Sequence, residues 1–531
     1  MRHTLHGRLS HSRLAGVLLT LVSMTGAALA APAAPQVVAA GETLVGEWLL
    51  DGSVMAFRGI PFAAPPVGAL RWMPPAPHRP RPGLVDARQF APACTQDSYN
   101  MNWYRRVGAA FGAAASEFLQ PAVSEDCLYL NVWAPVTASS RRLPVMVWIY
   151  GGSNRSGWSF EPNYRGAALA AQGVVVVTLA YRVGILGFFG HPGLAEDAGL
   201  NFGLRDQIAA LEWVNRSIAA FGGDPDNVTV FGESAGASNI GYLVNSPLAA
   251  PLFRRAISQS GGFQMQYDLQ PADAKALGLR VADALGTADL AALRAVPAPA
   301  LFEAAIKASP DGPWRPVADG VTVLASPAAN YQSAGIPHDL IIGNNADEQF
   351  MYLPMEPAEL AAALRAFPSA AVEVLEPLVA GPGDPRLGYD RAITLAEMTC
   401  PAYLMASSAV AAGRRAWVYR FERQRPGPGG EALRAYHGAE IPYVFGTHDH
   451  WFPDSEQDDA LTTTMMSYWV QFAAQGNPNG DGLPHWPAFD PDEAQIMALG
   501  DVPGPRPAPD LASCHALAPL LYPGWTAMHR P

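Results

Sequence analysis

Charged side chains are scarce in this chain: Asp, Glu, Lys and Arg make up 15% of its 531 residues. A coiled coil or a solvated disordered tail needs far more. The charges form no block of one sign, and the formal net charge is −12. No basic stripe is available for nucleic acid or an anionic membrane surface, so neither is expected as a partner. The acidity reads as a solvated surface. Cysteine is also rare. Cys94, Cys127, Cys400 and Cys514 make no CxxC pair, which argues against a zinc site. His448 and His450 flank Asp449, and this H-x-H reads as a polar loop. Apolar runs long enough to span a membrane are missing, and so are internal repeats and a linker that would split the chain.

What is present is ample core material. Hydrophobic residues make up 49% of the chain, with 50 Gly and 49 Pro, the composition of a loop-rich enzyme. At the N-terminus Arg2, Arg8 and Arg13 precede an apolar run from Leu14 to Val22, and Ala28-Leu29-Ala30 fits a small-x-small cleavage site. Residues 1–30 are therefore expected to be a cleaved signal peptide of a secreted or periplasmic protein. With four cysteines in an exported chain, disulfides are expected. Residues 31–41 read as a flexible segment, 42–520 as one domain and 521–531 as a tail.

VMVWIY (Val145 to Tyr150) and VVVVTL (Val174 to Leu179) are β-branched runs without alternation, the pattern of strands buried on both faces. Helices are expected at 164–172 and 206–221. Further strands are expected at 228–231, 256–258, 340–343 and 416–421. Ala/Leu-rich stretches at 273–306 and 357–380 read as helical caps. Strands alternating with helices predict an α/β fold with a large, mostly parallel central sheet covered by helices.

The sharpest motif is Gly232-Glu233-Ser234-Ala235-Gly236, which directly follows the strand ending at Phe231. A serine hydroxyl is a poor nucleophile unless it is exposed beside a base. In a G-x-S-x-G elbow the glycines leave room for a strained strand-to-helix turn that lifts the serine above the sheet edge. The backbone N–H of Ala235 then faces a developing oxyanion at a helix N-terminus. Trp148 to Ser153 reads WIYGGS, a glycine turn after a strand, where further oxyanion donors are expected. Seven histidines follow Ser234, at 338, 437, 448, 450, 485, 515 and 529. Residue types alone do not select among them, nor among the acids.

Three blocks carry a resemblance: FRGIPFAAPPVGALRW (Phe57 to Trp72), EDCLYLNVWAP (Glu125 to Pro135) and FGGDPDNVTVFGESAG (Phe221 to Gly236). Through them the chain resembles the type-B carboxylesterase family, which includes cholinesterases and bacterial para-nitrobenzyl esterases, over about residues 42–520. The resemblance implies an α/β-hydrolase fold and ester hydrolysis through an acyl-enzyme, with no metal or organic cofactor and a small-molecule ester as substrate. It implies Ser234, Glu348 (in GNNADEQF) and His437 (in YHGAEIPYVFG) as the triad, and Gly152, Ser153 and Ala235 as the oxyanion positions. Cys94 with Cys127 and Cys400 with Cys514 match the family's disulfides, and Arg71 with Glu125 a buried ion pair. Glu233, Ser260 and Glu440 match a network behind the triad, with Glu233 expected to point away from His437. Tyr267 falls near an acyl-pocket position. Ser153 stands where the family usually has Gly or Ala, so its side chain either narrows the acyl side or turns to a neighbouring loop. The Cys94 to Cys127 loop contains Trp103 but no clear counterpart of the choline-binding tryptophan, so the chain is not read as a cholinesterase. The same chemistry also cleaves carbamates, amides or lactones. Some members of this fold are adhesion modules that lack the nucleophile. The oligomeric state is left open.

Overall fold

Every residue of the strand Val175–Leu179 is buried, and so are all from Val145 to Ile149. Strands so apolar must be covered on both faces, and they lie side by side in the middle of one sheet. The computed structural model describes residues 33–136, 141–196, 199–266, 269–310 and 314–525. The expected signal peptide and Tyr267 lie outside the described residues.

Among the described residues the main sheet has 11 strands. In chain order they are β1 (Glu47–Leu49), β2 (Val54–Pro61), β3 (Tyr129–Pro135), β4 (Leu143–Ile149), β5 (Val175–Leu179), β6 (Gly223–Glu233), β7 (Arg255–Gln259), β8 (Asp339–Asn345), β9 (Ala416–Phe421), β10 (Gln495–Leu499) and β11 (Gly504–Pro507). Their spatial order is β11-β10-β9-β8-β7-β6-β4-β5-β3-β2-β1. The strands from β5 to β10 pair in parallel. The antiparallel pairings lie toward the edges, through β3, β2 and β1 on one side and β11 on the other.

Helices α1 (Phe202–Ser217), α2 (Ala235–Leu243), α3 (Cys400–Ala411) and α4 (Glu456–Gln475) pack on these strands. Strand β6 starts at Gly223, so Asp224 and Pro225 belong to the strand. Gly222, at φ 83°, makes the turn alone.

Among the described residues, the fold reaches further at both ends than the expected 42–520, from the strand at Gln36 to the buried Trp525. Gln36–Ala39 pairs antiparallel with Glu42–Val45, because Val37 and Ala39 alternate inward and bury. Near the C-terminus Tyr522 and Trp525 are buried, and the Tyr522 hydroxyl donates to the Ala396 carbonyl at 2.6 Å. Apolar and aromatic side chains at these positions gain more from burial than the tail loses in freedom.

Candidate active site

The site forms at the carboxyl ends of the parallel strands, where open α/β sheets bind ligands. Strand β6 ends at Glu233 and α2 begins at Ala235, so Ser234 alone makes the turn. Its φ of 53° and ψ of −124° lie in a region costly for a residue with a Cβ. The turn closes tightly against β4: a Cβ at Gly236 would lie 2.0 Å from the Ile149 carbonyl oxygen. The glycine is required by contact, and the strain at Ser234 is held in place by that packing.

Ser234 Oγ lies 2.8 Å from His437 Nε2, and His437 Nδ1 lies 2.5 Å from Glu348 Oε2. Glu348 follows β8 by three residues and is fully buried. Its other oxygen, Oε1, accepts from the Asn345 N–H and from Ser260 Oγ, both at 2.6 Å. His437 comes from the long connection after β9. Asn345 Nδ2 holds that connection by donating to the Tyr436 carbonyl and to Glu440 Oε2, each at 2.7 Å. Glu440 also accepts from Gln259 Nε2 at 3.0 Å, and Gln259 accepts from Trp469 Nε1 at 3.0 Å. Of the network expected behind these residues, Ser260 touches Glu348 directly and Glu440 connects through Asn345. Asn345 and Gln259 were missed in the sequence, where nothing marks a strand-end amide as a bridge.

Glu233 corrects the expectation. It does not point away from His437: its Oε1 stands 3.2 Å from Nε2, the nitrogen that also faces Ser234. The residue is on the elbow itself, so its backbone turns the side chain toward the imidazole rather than behind it. Oε1 has no hydrogen-bond partner. Burial pushes the Glu233 carboxyl above its ordinary range, opposed by His437. Burial alone would lower the His437 imidazolium, but Glu233 and Glu348 outweigh it and the net shift is upward. The two groups titrate as one cluster, since a proton on Glu233 removes part of the charge that raises His437.

After β4 the chain turns through Gly152, Ser153 and Asn154, all at positive φ. Gly152, at φ 95°, has the Ser156 carbonyl oxygen 2.1 Å from where a Cβ would sit. Among the described residues, the N–H groups of Gly152 and Ser153 donate to no backbone carbonyl in loops or turns. The Ala235 N–H opens α2 and has no intrahelical acceptor. The Ser153 side chain is exposed, and its hydroxyl faces Tyr99 Oη at a long 3.5 Å.

Two cavities meet at Ser234 and His437. The larger, about 410 Å³, is bordered by Ser153, Ala235, Ser238, Tyr242, Arg315 and Glu397 among others. The smaller, about 60 Å³, is bordered by Trp103, Gly152, Glu161 and Glu233. Burial pushes Glu161 up to about 7, against hydrogen bonds from the Trp158 N–H, Tyr104 and Asn100. Disulfides join Cys94 to Cys127 and Cys400 to Cys514. The first closes the loop that carries Trp103. Arg71 braces that loop by giving Nε and Nη2 to Glu125 at 2.7 and 2.5 Å. His448 contacts Arg425 and Thr462, and His450 pairs with Glu117. Among the described residues no cluster of three or more His, Cys, Asp or Glu is placed to hold a metal.

A mixed sheet with helices, and a serine elbow at its centre, define an α/β-hydrolase. Comparison with known proteins gives the family. The profile of the Carboxylesterase family matches residues 40–376 and 382–509, and the chain belongs to that family as a carboxylic ester hydrolase. It is 36% identical to the fumonisin B1 esterase of Sphingopyxis macrogoltabida over 494 residues, covering 86% of this chain and 85% of that one. It is 36% identical to the para-nitrobenzyl esterase of Bacillus subtilis over 474 residues, covering 85% and 92%. Among solved structures, a PNB esterase superposes with a TM-score of 0.79 at 31% identity, over 92% of this chain and 99% of that one. The carboxylesterase EST55 of Geobacillus stearothermophilus superposes with a TM-score of 0.77 at 32% identity, over 91% and 99%.

Proposed function

We propose that ester hydrolysis here runs through a Ser234–His437–Glu348 triad and an acyl-enzyme on Ser234. One observation carries the reading: the unbroken chain of contacts from Ser234 Oγ through the imidazole to Glu348, at 2.8 and 2.5 Å. His437 Nε2 takes the serine proton as Oγ attacks the ester carbonyl. Glu348 holds the ring by Nδ1 and stabilises its charged form. The N–H groups of Gly152, Ser153 and Ala235 receive the oxyanion. His437 returns the proton to the departing alcohol, and water repeats the cycle on the acyl-enzyme. Ser234→Ala is expected to fold normally and lose several orders of magnitude in kcat, and an organophosphonate is expected to label wild type at Ser234. Labelling at another serine, or a fully active variant, refutes the assignment.

The same reading takes the folded chain as a single α/β-hydrolase domain, exported after removal of residues 1–30. The two disulfides support export, because such bonds persist in oxidising compartments. N-terminal sequencing of the protein from its native cell tests this: the mature chain is expected to begin at Ala31 and to be found outside the cytoplasm.

A further inference from the structure

The wall of the larger cavity is unusual for a site that accepts plain aliphatic acyl chains. Among the described residues it contains no Leu, Ile, Val or Met. Apolar ligands are held by apolar walls with a few placed polar groups, and here charged and polar side chains share the wall with the rings of Tyr99, Tyr242, Phe263 and Tyr352. Two guanidiniums, Arg155 and Arg315, border the cavity together with Ser238 and Gln264. Ser238 Oγ and Gln264 Oε1 are buried and have no hydrogen-bond partner in the protein. A buried polar atom left unpaired is destabilising, and a polar ligand at this wall offsets that cost.

The charge is divided between the two cavities. The smaller is bordered by the carboxyl groups of Glu161 and Glu233 and by no arginine among the described residues. The larger has two guanidiniums and one carboxyl group, Glu397. Arg155 gives Nε to Asp97 and lies with its guanidinium 5.3 Å from the Tyr99 ring centre. Glu397 accepts from Gln349 Nε2 at 2.8 Å. Burial pushes it up to about 7, against the pull of Arg315, so near neutral pH Glu397 and the Asp97 partner of Arg155 together offset part of the positive charge.

We propose that this enzyme acts on esters that carry a carboxylate, received in the larger cavity at the wall formed by Arg315 and Arg155. The proposal rests on the esterase reading of the same site. A guanidinium binds a carboxylate through charge-assisted, often paired hydrogen bonds. The Ser238 hydroxyl is a further donor, and Gln264 Oε1 accepts from a hydroxyl or amide of the same group. The chain's net charge of −12 opposes an anion at long range. Surface charges are screened within about 8 Å at physiological salt, whereas arginines lining the cavity act at contact distance. The local field therefore decides.

The test compares charged and neutral ester pairs on the full-length enzyme. For the acyl side, 4-nitrophenyl hydrogen glutarate is set against 4-nitrophenyl valerate; for the alcohol side, 4-carboxyphenyl acetate against phenyl acetate. In one pair the charged ester is expected to have the higher kcat/KM, by about tenfold or more, the scale of one charge-assisted contact. Arg315→Gln is expected to lower that charged-to-neutral ratio about tenfold, and Arg315→Lys by less. Glutarate is expected to inhibit wild-type hydrolysis of 4-nitrophenyl valerate competitively where glutaramide does not, a measurement that stands even where a variant misfolds. A ratio at or below one in both pairs, a ratio indifferent to Arg315→Gln, or equal inhibition by glutarate and glutaramide overturns the proposal alone. Folded wild type that cleaves none of the four esters overturns the esterase reading and this proposal with it.

Discussion

Glu233 Oε1 and Ser234 Oγ approach the same imidazole nitrogen, His437 Nε2, at 3.2 and 2.8 Å. The base thus has a carboxyl group on each side, Glu348 at Nδ1 and Glu233 at Nε2. A nearby negative charge favours the imidazolium, which cannot accept the serine proton. Activity is therefore expected to rise with pH as His437 loses its proton. Glu233→Gln removes one of the two charges that hold the proton on, so the acidic limb of the kcat/KM profile is expected to move to lower pH, by about one unit. A pH–rate profile of the two enzymes checks this. A midpoint that stays in place means that the buried Glu233 is itself protonated through that range. A midpoint that rises contradicts the assigned electrostatics.

Gly152 occupies a conformation and a space that no other residue fits. A Cβ there meets the Ser156 carbonyl oxygen at 2.1 Å, at a φ of 95°. Gly152→Ala must displace the turn that carries two of the three proposed oxyanion donors. Loss of one such donor costs about 10²–10³ in kcat, and at least that loss is expected, with KM changed far less. Steady-state kinetics on a single 4-nitrophenyl ester decide it, and a variant within tenfold of wild type would falsify the role.

Ser153 was open to two readings, and the structure favours the second. Its side chain is exposed and its hydroxyl faces Tyr99 in the disulfide-closed loop. Ser153→Gly is therefore expected to leave the ratio of acetyl to butyryl turnover within about twofold. A misfit of one methylene in an acyl pocket is worth roughly 1–3 kcal/mol. A tenfold change in the ratio thus means that the hydroxyl does intrude on the acyl chain.

Asp458 anchors the first turn of α4 on Arg423, two residues past the end of strand β9. It accepts from Arg423 Nε and Nη2 at 2.8 Å each, and from the Tyr443 hydroxyl and Ser455 Oγ at 2.6 Å. Burial alone would raise its pKa, but these partners outweigh it and hold it well below the usual range. A depressed folded-state pKa stabilises the fold above the ordinary Asp value, and that contribution is lost as pH falls below it. Asp458→Asn leaves the Arg423 charge with Asp501 alone as an acidic partner. Breaking a buried pair costs about 3–5 kcal/mol. Chemical denaturation at pH 7 is expected to show that loss, shrinking toward pH 3. Equal stability at pH 7 contradicts it.

The strands and the elbow were legible in the sequence because both are local. Val145 to Ile149 and Val175 to Leu179 are apolar at every position, which only a strand buried on both faces tolerates. The pairing of β5 with β4 and β3 follows from that burial. Ser234 between Gly232 and Gly236 is a conformational requirement written into five consecutive residues. The strand at Gln36–Ala39 was missed because four residues give too little periodicity beside a Pro/Ala-rich stretch.

Glu348 and His437 could be named only through family motifs, since seven histidines follow Ser234 and no local rule separates them. That one of them meets Ser234, 203 residues away, depends on strand order and on Asn345 fixing the His437 connection. The orientation of Glu233 was decided by tertiary structure against expectation. A side chain on a strained turn points where the packed strands leave space, and the space beside Nε2 is made by segments distant in sequence. The arginine wall of the larger cavity arises the same way. Arg155 and Arg315 share no motif, and only the fold brings their charges to one surface, because electrostatic coupling depends on distance in space rather than along the chain.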